Sequence, residues 1–236
     1  MSIALNPLHS LGDYAEQYAA DKRLRLFDIF MPQTAGDIAM HIHQDLSYKN
    51  AYVEDGVFKV ISTDELKALG TQRQQSLTQK IYQQAGQGIG FFYAKCQLHD
   101  NPADHSLSQQ VLQWLNSESL LNDIRKMTGH DDITGANGQA TRFYPGHFLT
   151  RHNDVNEHDN RKVAYVLNFT PEWHPDWGGL LQFYHDNGNP KDTWVPIFNS
   201  LALFDVTHPH AVSYVAPFAR KPRIAITGWF TGDSPK

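Results

Sequence analysis

The sequence predicts an α+β protein with a mainly β core, in which helices and additional strands precede a barrel or sandwich. The chain has 236 residues, of which 41% are hydrophobic and 19% are charged, and these are values of a globular protein. From Gln139 onward, eight short β-rich runs are separated by proline and glycine turns, with no helical pattern between them. Such a series predicts a β-sandwich or β-barrel, and the jelly roll is one form of it.

The eight β-rich runs occupy most of the second half of the chain. They span 139–145, 148–154, 162–169, 180–184, 193–196, 200–205, 210–216 and 223–230. Because no clear linker separates them from the first half, we expect one domain over residues 1–236. In this interpretation residues 136–231 form the core, and residues 1–135 form a supporting region of helices and strands.

Helical and strand signals alternate in the first half of the chain. Asp55-Gly56 lies between two β-rich runs and predicts a hairpin, and Ser62-Thr63-Asp64-Glu65 has the form of a capping box at the start of a helix. Thr34 has the character of a helix N-cap. Further helices are predicted over 10–20, 71–85 and 106–127, and strands over 23–30 and 91–98.

Charge and hydropathy exclude several classes of protein. There are 20 Lys and Arg against 25 Asp and Glu, a net charge of −5, whereas a dedicated nucleic-acid binder carries a basic stripe. No apolar run is long enough to span a membrane. Cys96 is the single cysteine, which excludes an intrachain disulfide, fits a reducing compartment and predicts a cytoplasmic location. The oligomeric state stays open.

A histidine and an aspartate two positions apart give the strongest chemical signal. His152 and Asp154 fall in a β-rich run, and residues i and i+2 of a strand point to the same face. His210 opens another β-rich run 58 positions later. Two histidines and one carboxylate form the facial triad of non-haem Fe(II) oxygenases. A single His-x-Asp pair is common by chance among 13 histidines, so the prediction depends on all three residues.

An arginine opens the last β-rich run, which is otherwise almost wholly apolar. A buried guanidinium at Arg223 would require an anionic partner, and a dicarboxylic acid co-substrate has the bidentate geometry that arginine matches. Arg220 is a rival for this role, but it lies in a predicted loop. The hydroxyl of Tyr144 is a candidate second donor to the same carboxylate.

Taken in order, these motifs resemble the 2-oxoglutarate- and Fe(II)-dependent dioxygenases, and within them the prolyl hydroxylase branch. The resemblance covers roughly residues 139–231. The motifs are Tyr144-Pro145-Gly146, the run from Phe148 to Asp154, Arg161, Trp173, Gly178-Gly179-Leu180, the run from Asn199 to Phe204, Pro209-His210-Ala211-Val212 and the run from Arg223 to Phe230.

The resemblance implies a fold and a set of site residues. The fold is the double-stranded β-helix, or jelly roll. His152, Asp154 and His210 are then the iron ligands, Arg223 binds the 5-carboxylate of 2-oxoglutarate, and Tyr144 assists in that pocket. Some relatives carry a tyrosine near this carboxylate on the third barrel strand, where we place Leu167 in this chain.

The resemblance also implies a reaction. Fe(II), 2-oxoglutarate and O2 would hydroxylate a C–H bond with release of succinate and CO2, with ascorbate as a candidate reductant. A prolyl residue of a protein or peptide is the expected substrate. A hydroxylase of free amino acids or metabolites, and a non-catalytic cupin-like metal- or ligand-sensing module, are the alternatives. Nucleic-acid-repair relatives carry an arginine where this chain has Trp229, which argues against a nucleic-acid substrate.

Overall fold

Thirteen strands form one curled antiparallel sheet in the part of the chain that the computed structural model describes, residues 3–100 and 106–233. The strands are β1 Arg23–Phe27, β2 Lys49–Glu54, β3 Val57–Ser62, β4 Phe91–Gln97, β5 Ile133–Ala136, β6 Gln139–Phe143, β7 Phe148–His152, β8 Arg161–Asn168, β9 Leu181–Tyr184, β10 Pro190–Trp194, β11 Ser200–Asp205, β12 His210–Val212 and β13 Arg223–Gly232. The eight predicted β-rich runs are all present, and β5 is a strand that the sequence pattern did not indicate.

Six α-helices accompany the sheet in the described residues. They are α1 Ala15–Ala19, α2 Pro32–Gln44, α3 Thr63–Ala68, α4 Gly70–Ala85, α5 Leu107–Leu115 and α6 Glu118–Thr128. The capping box at Ser62 and Glu65 is confirmed. The expectation that Thr34 caps α2 is wrong, because Pro32 occupies the first turn and Met31 is the N-cap, as the fixed φ of proline favours.

The strand order shows how the two halves of the chain combine. It runs β1-β11-β8-β13-β6-β4-β7-β12-β9-β10, and β4 pairs with both β6 and β7. Strands from the first half therefore join the same sheet as the strands of the barrel. The curled antiparallel sheet matches the expected double-stranded β-helix, which is confirmed. The division into a support region and a core stays a prediction.

The outer face of the sheet carries the main hydrophobic core. Leu203 and Phe230 from the sheet pack in one cluster with Leu11 and Ile124 from the helical layer, and each is at most 2% exposed. Burial of such side chains provides the main driving force for folding. None of the helices in the described residues is long and apolar enough to cross a membrane.

Alternation along β8 divides its side chains between this core and a cavity on the inner face. Tyr165 and Leu167 belong to the outer core cluster, whereas Ala164 and Val166 belong to a separate cluster and line the cavity. The expectation that Leu167 stands in the co-substrate pocket is therefore wrong. Leu167 faces the helices, because neighbouring residues of a strand point to opposite faces.

Candidate active site

Three predicted ligand residues meet on the inner face of the sheet. Nε2 of His152 lies 3.4 Å from Oδ1 of Asp154, and Nε2 of His210 lies 3.4 Å from Oδ2 of the same carboxylate. One donor atom from each residue falls within 4.8 Å of the other two. Asp154 and His210 are buried and His152 is half-buried. The structure therefore brings the predicted triad together.

A β-bulge in β7 turns His152 toward the cavity. His210 pairs with His152, and Val212 pairs with Leu149. The two pairs are two residues apart on β12 but three residues apart on β7, so β7 contains one extra residue. The extra residue lets both Leu149 and His152 point inward, as bulges beside active sites often do. Thr150 anchors the bulge, because its N–H and its hydroxyl both donate to the carbonyl of Gly90, at 3.1 and 2.7 Å.

Asp154 reaches the triad from a loop rather than from the strand. The strand β7 ends at His152, so the expectation that alternation places both residues on one strand face is wrong. The N–H of Asp154 donates to the carbonyl of Val206 at 2.9 Å. This hydrogen bond fixes the loop, and the carboxylate then lies between the two imidazoles.

Backbone hydrogen bonds set the tautomer of both histidines. Nδ1 of His152 lies 2.9 Å from the carbonyl of Thr150, and Nδ1 of His210 lies 2.9 Å from the carbonyl of His208. A carbonyl only accepts, so each Nδ1 is the protonated nitrogen and each Nε2 presents a lone pair. Two nitrogen lone pairs and a carboxylate then converge without a proton between them. This donor set fits a divalent cation, and its composition suits Fe(II).

Burial and charge favour a neutral His210 and an ionised Asp154. Burial lowers the pKa of His210 to about 4, so its imidazole is neutral near pH 7. Burial alone would raise the pKa of Asp154, but the neighbouring side chains of His152 and His210 outweigh it and hold that pKa below its ordinary value. Burial would lower the pKa of His152, but the Asp154 carboxylate outweighs burial and raises it. A neutral imidazole and an ionised carboxylate are the forms that bind metals.

Arg223 is a buried cation without an acidic partner in the part of the chain that the structure describes. Its side chain is 3% exposed, its Nε has no hydrogen-bond partner among the described residues, and its guanidinium carbon lies 5.3 Å from the ring centre of Phe143. Burial lowers its pKa to about 10, so it stays charged at neutral pH. An unpartnered buried charge is costly, which fits a site built for an anionic ligand.

The other two candidates for the carboxylate pocket lie elsewhere. Arg220 is exposed and does not line the cavity. Tyr144 is 39% exposed, also lies outside the cavity, and its hydroxyl accepts from Nη1 of Arg142 at 3.1 Å. Tyr144 and Arg142 lie on a face that points away from the cavity, toward Ile42 and His43. The structure does not bring Tyr144 to Arg223.

Three further polar residues of the cavity wall were not among the predicted site residues. Tyr93 of β4 is hydrogen-bonded to Gln139 of β6, and burial raises the pKa of the Tyr93 hydroxyl. Arg161 of β8 stacks over Trp229, with 3.7 Å from its guanidinium carbon to the ring centre. Alternation in β4 was visible in the sequence, but it does not tell which face of the strand is the inner one.

Comparison with known proteins agrees with this fold and geometry. Residues 138–231 match the model of the 2OG-Fe(II) oxygenase superfamily. The matched segment contains all three members of the triad and Arg223. This segment of the chain is therefore similar to the 2OG-Fe(II) oxygenases, a family whose name implies Fe(II) and 2-oxoglutarate.

Two relatives that are similar to part of this chain are named as prolyl hydroxylases. It is 39% identical over 143 residues to prolyl 3-hydroxylase OGFOD1 of Xenopus laevis, a match that covers 58% of this chain and 26% of the relative. It is 34% identical over 131 residues to OGFOD1 of Mus musculus, covering 52% of this chain and 24% of the relative. The chain thus spans about a quarter of the length of these relatives.

Solved structures share the fold at low sequence identity. A Pseudomonas putida prolyl-4-hydroxylase superposes with a TM-score of 0.64 at 18% identity, covering 94% of this chain and 99% of that one. A Trichoplax adhaerens prolyl hydroxylase, solved with a hypoxia-inducible factor peptide, gives a TM-score of 0.64 at 18% identity, covering 94% and 89%. The prolyl hydroxylase-like fold that the sequence predicts is thereby confirmed.

Proposed function

We propose that this protein uses Fe(II), 2-oxoglutarate and O2 to hydroxylate a prolyl residue of a polypeptide, with release of succinate and CO2. The observation that carries this proposal is the joint presence of His152, Asp154, His210 and Arg223 in the wall of one cavity. A metal site alone would fit a binding module. The unpartnered Arg223 adds a second site, one for a carboxylate, that a simple metal-binding module does not need.

Each of these residues has a defined part in the proposal. Nε2 of His152, Nε2 of His210 and the carboxylate of Asp154 would hold Fe(II), and the guanidinium of Arg223 would bind the 5-carboxylate of 2-oxoglutarate. Bound iron, with 2-oxoglutarate and O2, supplies the oxidising power for C–H hydroxylation. The chain's own contribution is to position the reactants and to direct the Nε2 atoms of both imidazoles into the cavity.

The shape of the cavity supports a polypeptide substrate. Its volume is about 490 Å³, which exceeds the space that a five-carbon diacid needs. Its rim includes Ile89, which is 53% exposed, and the exposed Arg151. A rim open to solvent fits a segment of a larger molecule, whereas a metabolite hydroxylase would enclose its substrate. The OGFOD1 relatives are named prolyl 3-hydroxylases, and the Trichoplax enzyme was solved with a peptide.

The proposal is tested by incubating the purified protein with cell extract, Fe(II) and 2-oxoglutarate in air. We expect succinate to form and mass spectrometry to locate a gain of one oxygen on prolyl residues. The His152→Ala variant is the inactive control. Omission of ascorbate from the same assay tests whether it serves as reductant. Succinate formation with oxygen only on small molecules would overturn the prolyl assignment, and no succinate under any condition would overturn the activity itself.

A further inference from the structure

A row of apolar side chains crosses four neighbouring strands of the sheet. Leu149 of β7 pairs with Phe91 of β4, and Val53 of β2 pairs with Phe58 of β3. The register between β2 and β4 places Val53 opposite Phe91. Side chains that lie directly opposite each other in antiparallel strands share a face of the sheet. We call these four residues, Leu149, Phe91, Val53 and Phe58, the apolar row.

The apolar row begins inside the cavity and ends in solvent. Leu149, Phe91 and Val53 line the cavity. Phe58 is the next member of the row, and it is 53% exposed. The ring centres of Phe58 and Phe91 are 5.7 Å apart. Ile89, which lines the cavity and is also 53% exposed, shows that the mouth lies on this side. The apolar wall of the cavity therefore continues without a break onto an exposed aromatic ring.

The strand that carries Phe58 lies at an edge of the sheet. Within residues 3–100 and 106–233, β3 pairs with β2 alone. Val60 lies two positions after Phe58, so it shares the same face, and it is 43% exposed. Nζ of Lys95 lies 5.1 Å from the ring centre of Phe58, which helps to hold this ring on the inner face. Exposed apolar surface beside a cavity is typical of an interaction site.

The size of this surface favours a peptide segment over a second copy of the chain. The exposed parts of Phe58, Val60 and Ile89 together offer roughly 300 Å², whereas each partner of a stable protein–protein interface buries about 800 Å². An extended segment needs far less area, because it contacts such a surface with one or two side chains while the rest of it is held in the cavity.

We propose that Phe58, at the outer end of the apolar row, binds an aliphatic or aromatic side chain of the substrate polypeptide. This proposal rests on the proposed function, since it takes a prolyl residue of the same polypeptide to occupy the cavity. Two strand spacings, about 10 Å, separate β3 from β4, and an extended chain covers this distance in about three residues. The apolar residue of the substrate should therefore lie at least about three positions from the prolyl residue.

Synthetic peptide pools test the proposal directly. Each pool has a central proline and random flanking residues, with one flanking position fixed as leucine, phenylalanine, serine or aspartate. Succinate formation and oxygen incorporation are measured with the wild-type protein, Phe58→Ser and Phe58→Leu. Val57→Ser is the matched control, because Val57 is 57% exposed on the same edge strand but points to the opposite face.

We expect wild-type kcat/KM to favour leucine or phenylalanine over serine by about fivefold at one or two positions on one side of the proline, the gain from removing part of such a side chain from water. Phe58→Ser should abolish this preference, whereas Phe58→Leu and Val57→Ser should retain it. In all three variants the KM for 2-oxoglutarate should equal that of wild type.

Three results would contradict the proposal. Oxidation without any apolar preference, or a preference that survives Phe58→Ser, would overturn the role of Phe58 and leave the proposed function intact. A wild-type dimer that Phe58→Ser converts to a monomer in analytical ultracentrifugation would overturn that role too, because a second copy would then cover the ring. Failure of the wild-type protein to oxidise any pool above the peptide-free background would overturn the proposed function and this proposal together.

Discussion

The two faces of strand β13 differ in what they contribute to the protein. Ile224, Ile226 and Phe230 point outward into the main hydrophobic core. Arg223 and Trp229 line the cavity, and each has a buried nitrogen without a hydrogen-bond partner among the described residues. The same strand therefore stabilises the fold with one face and carries unsatisfied polar groups on the other. Unsatisfied groups are typical of sites that await a ligand.

This contrast predicts which substitutions affect activity and which affect stability. Changes on the inner face are expected to reduce turnover while the protein stays folded, since ligand-binding groups contribute little to the unliganded core. Changes on the outer face are expected to reduce the free energy of unfolding and to leave the ligand-binding constants unchanged. The four predictions below test this division, beginning with the largest expected effect.

The largest effect is expected for the proposed iron ligands. His210→Ala and His152→Ala each remove one of three donor atoms, and we expect succinate formation to fall to the background without protein. Circular dichroism should show that both variants are folded. His158→Ala is the matched control, because His158 is exposed and only six positions from His152. Wild-type turnover by either ligand variant would refute the ligand assignment.

Arg223→Gln should give the next largest effect. Loss of one partner of a buried charge pair costs about 2–5 kcal/mol, so the KM for 2-oxoglutarate should rise by about 30-fold or more. Because the substitution also removes a buried unpaired charge, we expect the unliganded variant to be at least as stable as wild type in urea. Arg220→Gln serves as the control for both measurements. If Arg220→Gln raised the KM for 2-oxoglutarate and Arg223→Gln did not, Arg220 rather than Arg223 would bind the carboxylate.

Two neighbouring residues of β13 separate stability from activity. Ile226 is fully buried on the outer face, and Ile226→Ala should lower the free energy of unfolding by about 2–5 kcal/mol. Thr227 faces the cavity, and Thr227→Ala should lower it by about 1 kcal/mol or less. Urea titrations measure both values, and the KM for 2-oxoglutarate of the Ile226 variant should equal that of wild type. Equal destabilisation by the two substitutions would contradict the division of faces.

His147 shows that a buried histidine need not belong to the catalytic face, and its effect is confined to acidic pH. It does not line the cavity, it packs 4.3 Å from the ring of Phe92, and burial lowers its pKa from 6.5 to about 4. The unfolded chain takes up this proton near pH 6.5 but the folded chain only near pH 4, so protonation favours unfolding. The stability that the neutral ring provides is therefore complete above pH 6.5 and is lost as the pH falls toward 4.

A comparison of wild type with His147→Phe tests this assignment. Protonation of His147 should lower the free energy of unfolding of wild type by on the order of 3 kcal/mol between pH 7 and pH 4. Urea titrations at several pH values should show that the variant loses less stability than wild type over that interval. Parallel pH profiles for the two proteins would show that His147 titrates normally.

Much of the fold followed from the sequence because its signals are local. Alternation, turn residues and caps placed the eight strands of the second half, the hairpin at Asp55-Gly56 and the capping box at Ser62. The triad followed from residue type and order, supported by the resemblance to a known family. Each of these signals depends on residues within a few positions of one another or on motif order along the chain.

The errors arose where a decision depended on contacts across the sheet. The resemblance placed Tyr144 and Leu167 in the co-substrate pocket, but only the pairing of distant strands decides which face of the sheet is the inner one. The bulge in β7 adds one residue against β12, and no local pattern in the sequence reveals it. Tyr93 and Gln139 meet in the wall of the cavity although they are 46 positions apart.

Iron binding under anaerobic conditions tests the central claim most directly. Wild-type protein, His152→Ala, His210→Ala and His158→Ala would be dialysed against Fe(II) without oxygen, and bound iron would be measured by elemental analysis. The account predicts one iron per chain in wild type and in His158→Ala, and almost none in the other two variants. Retention of one iron per chain by either His152→Ala or His210→Ala would contradict it.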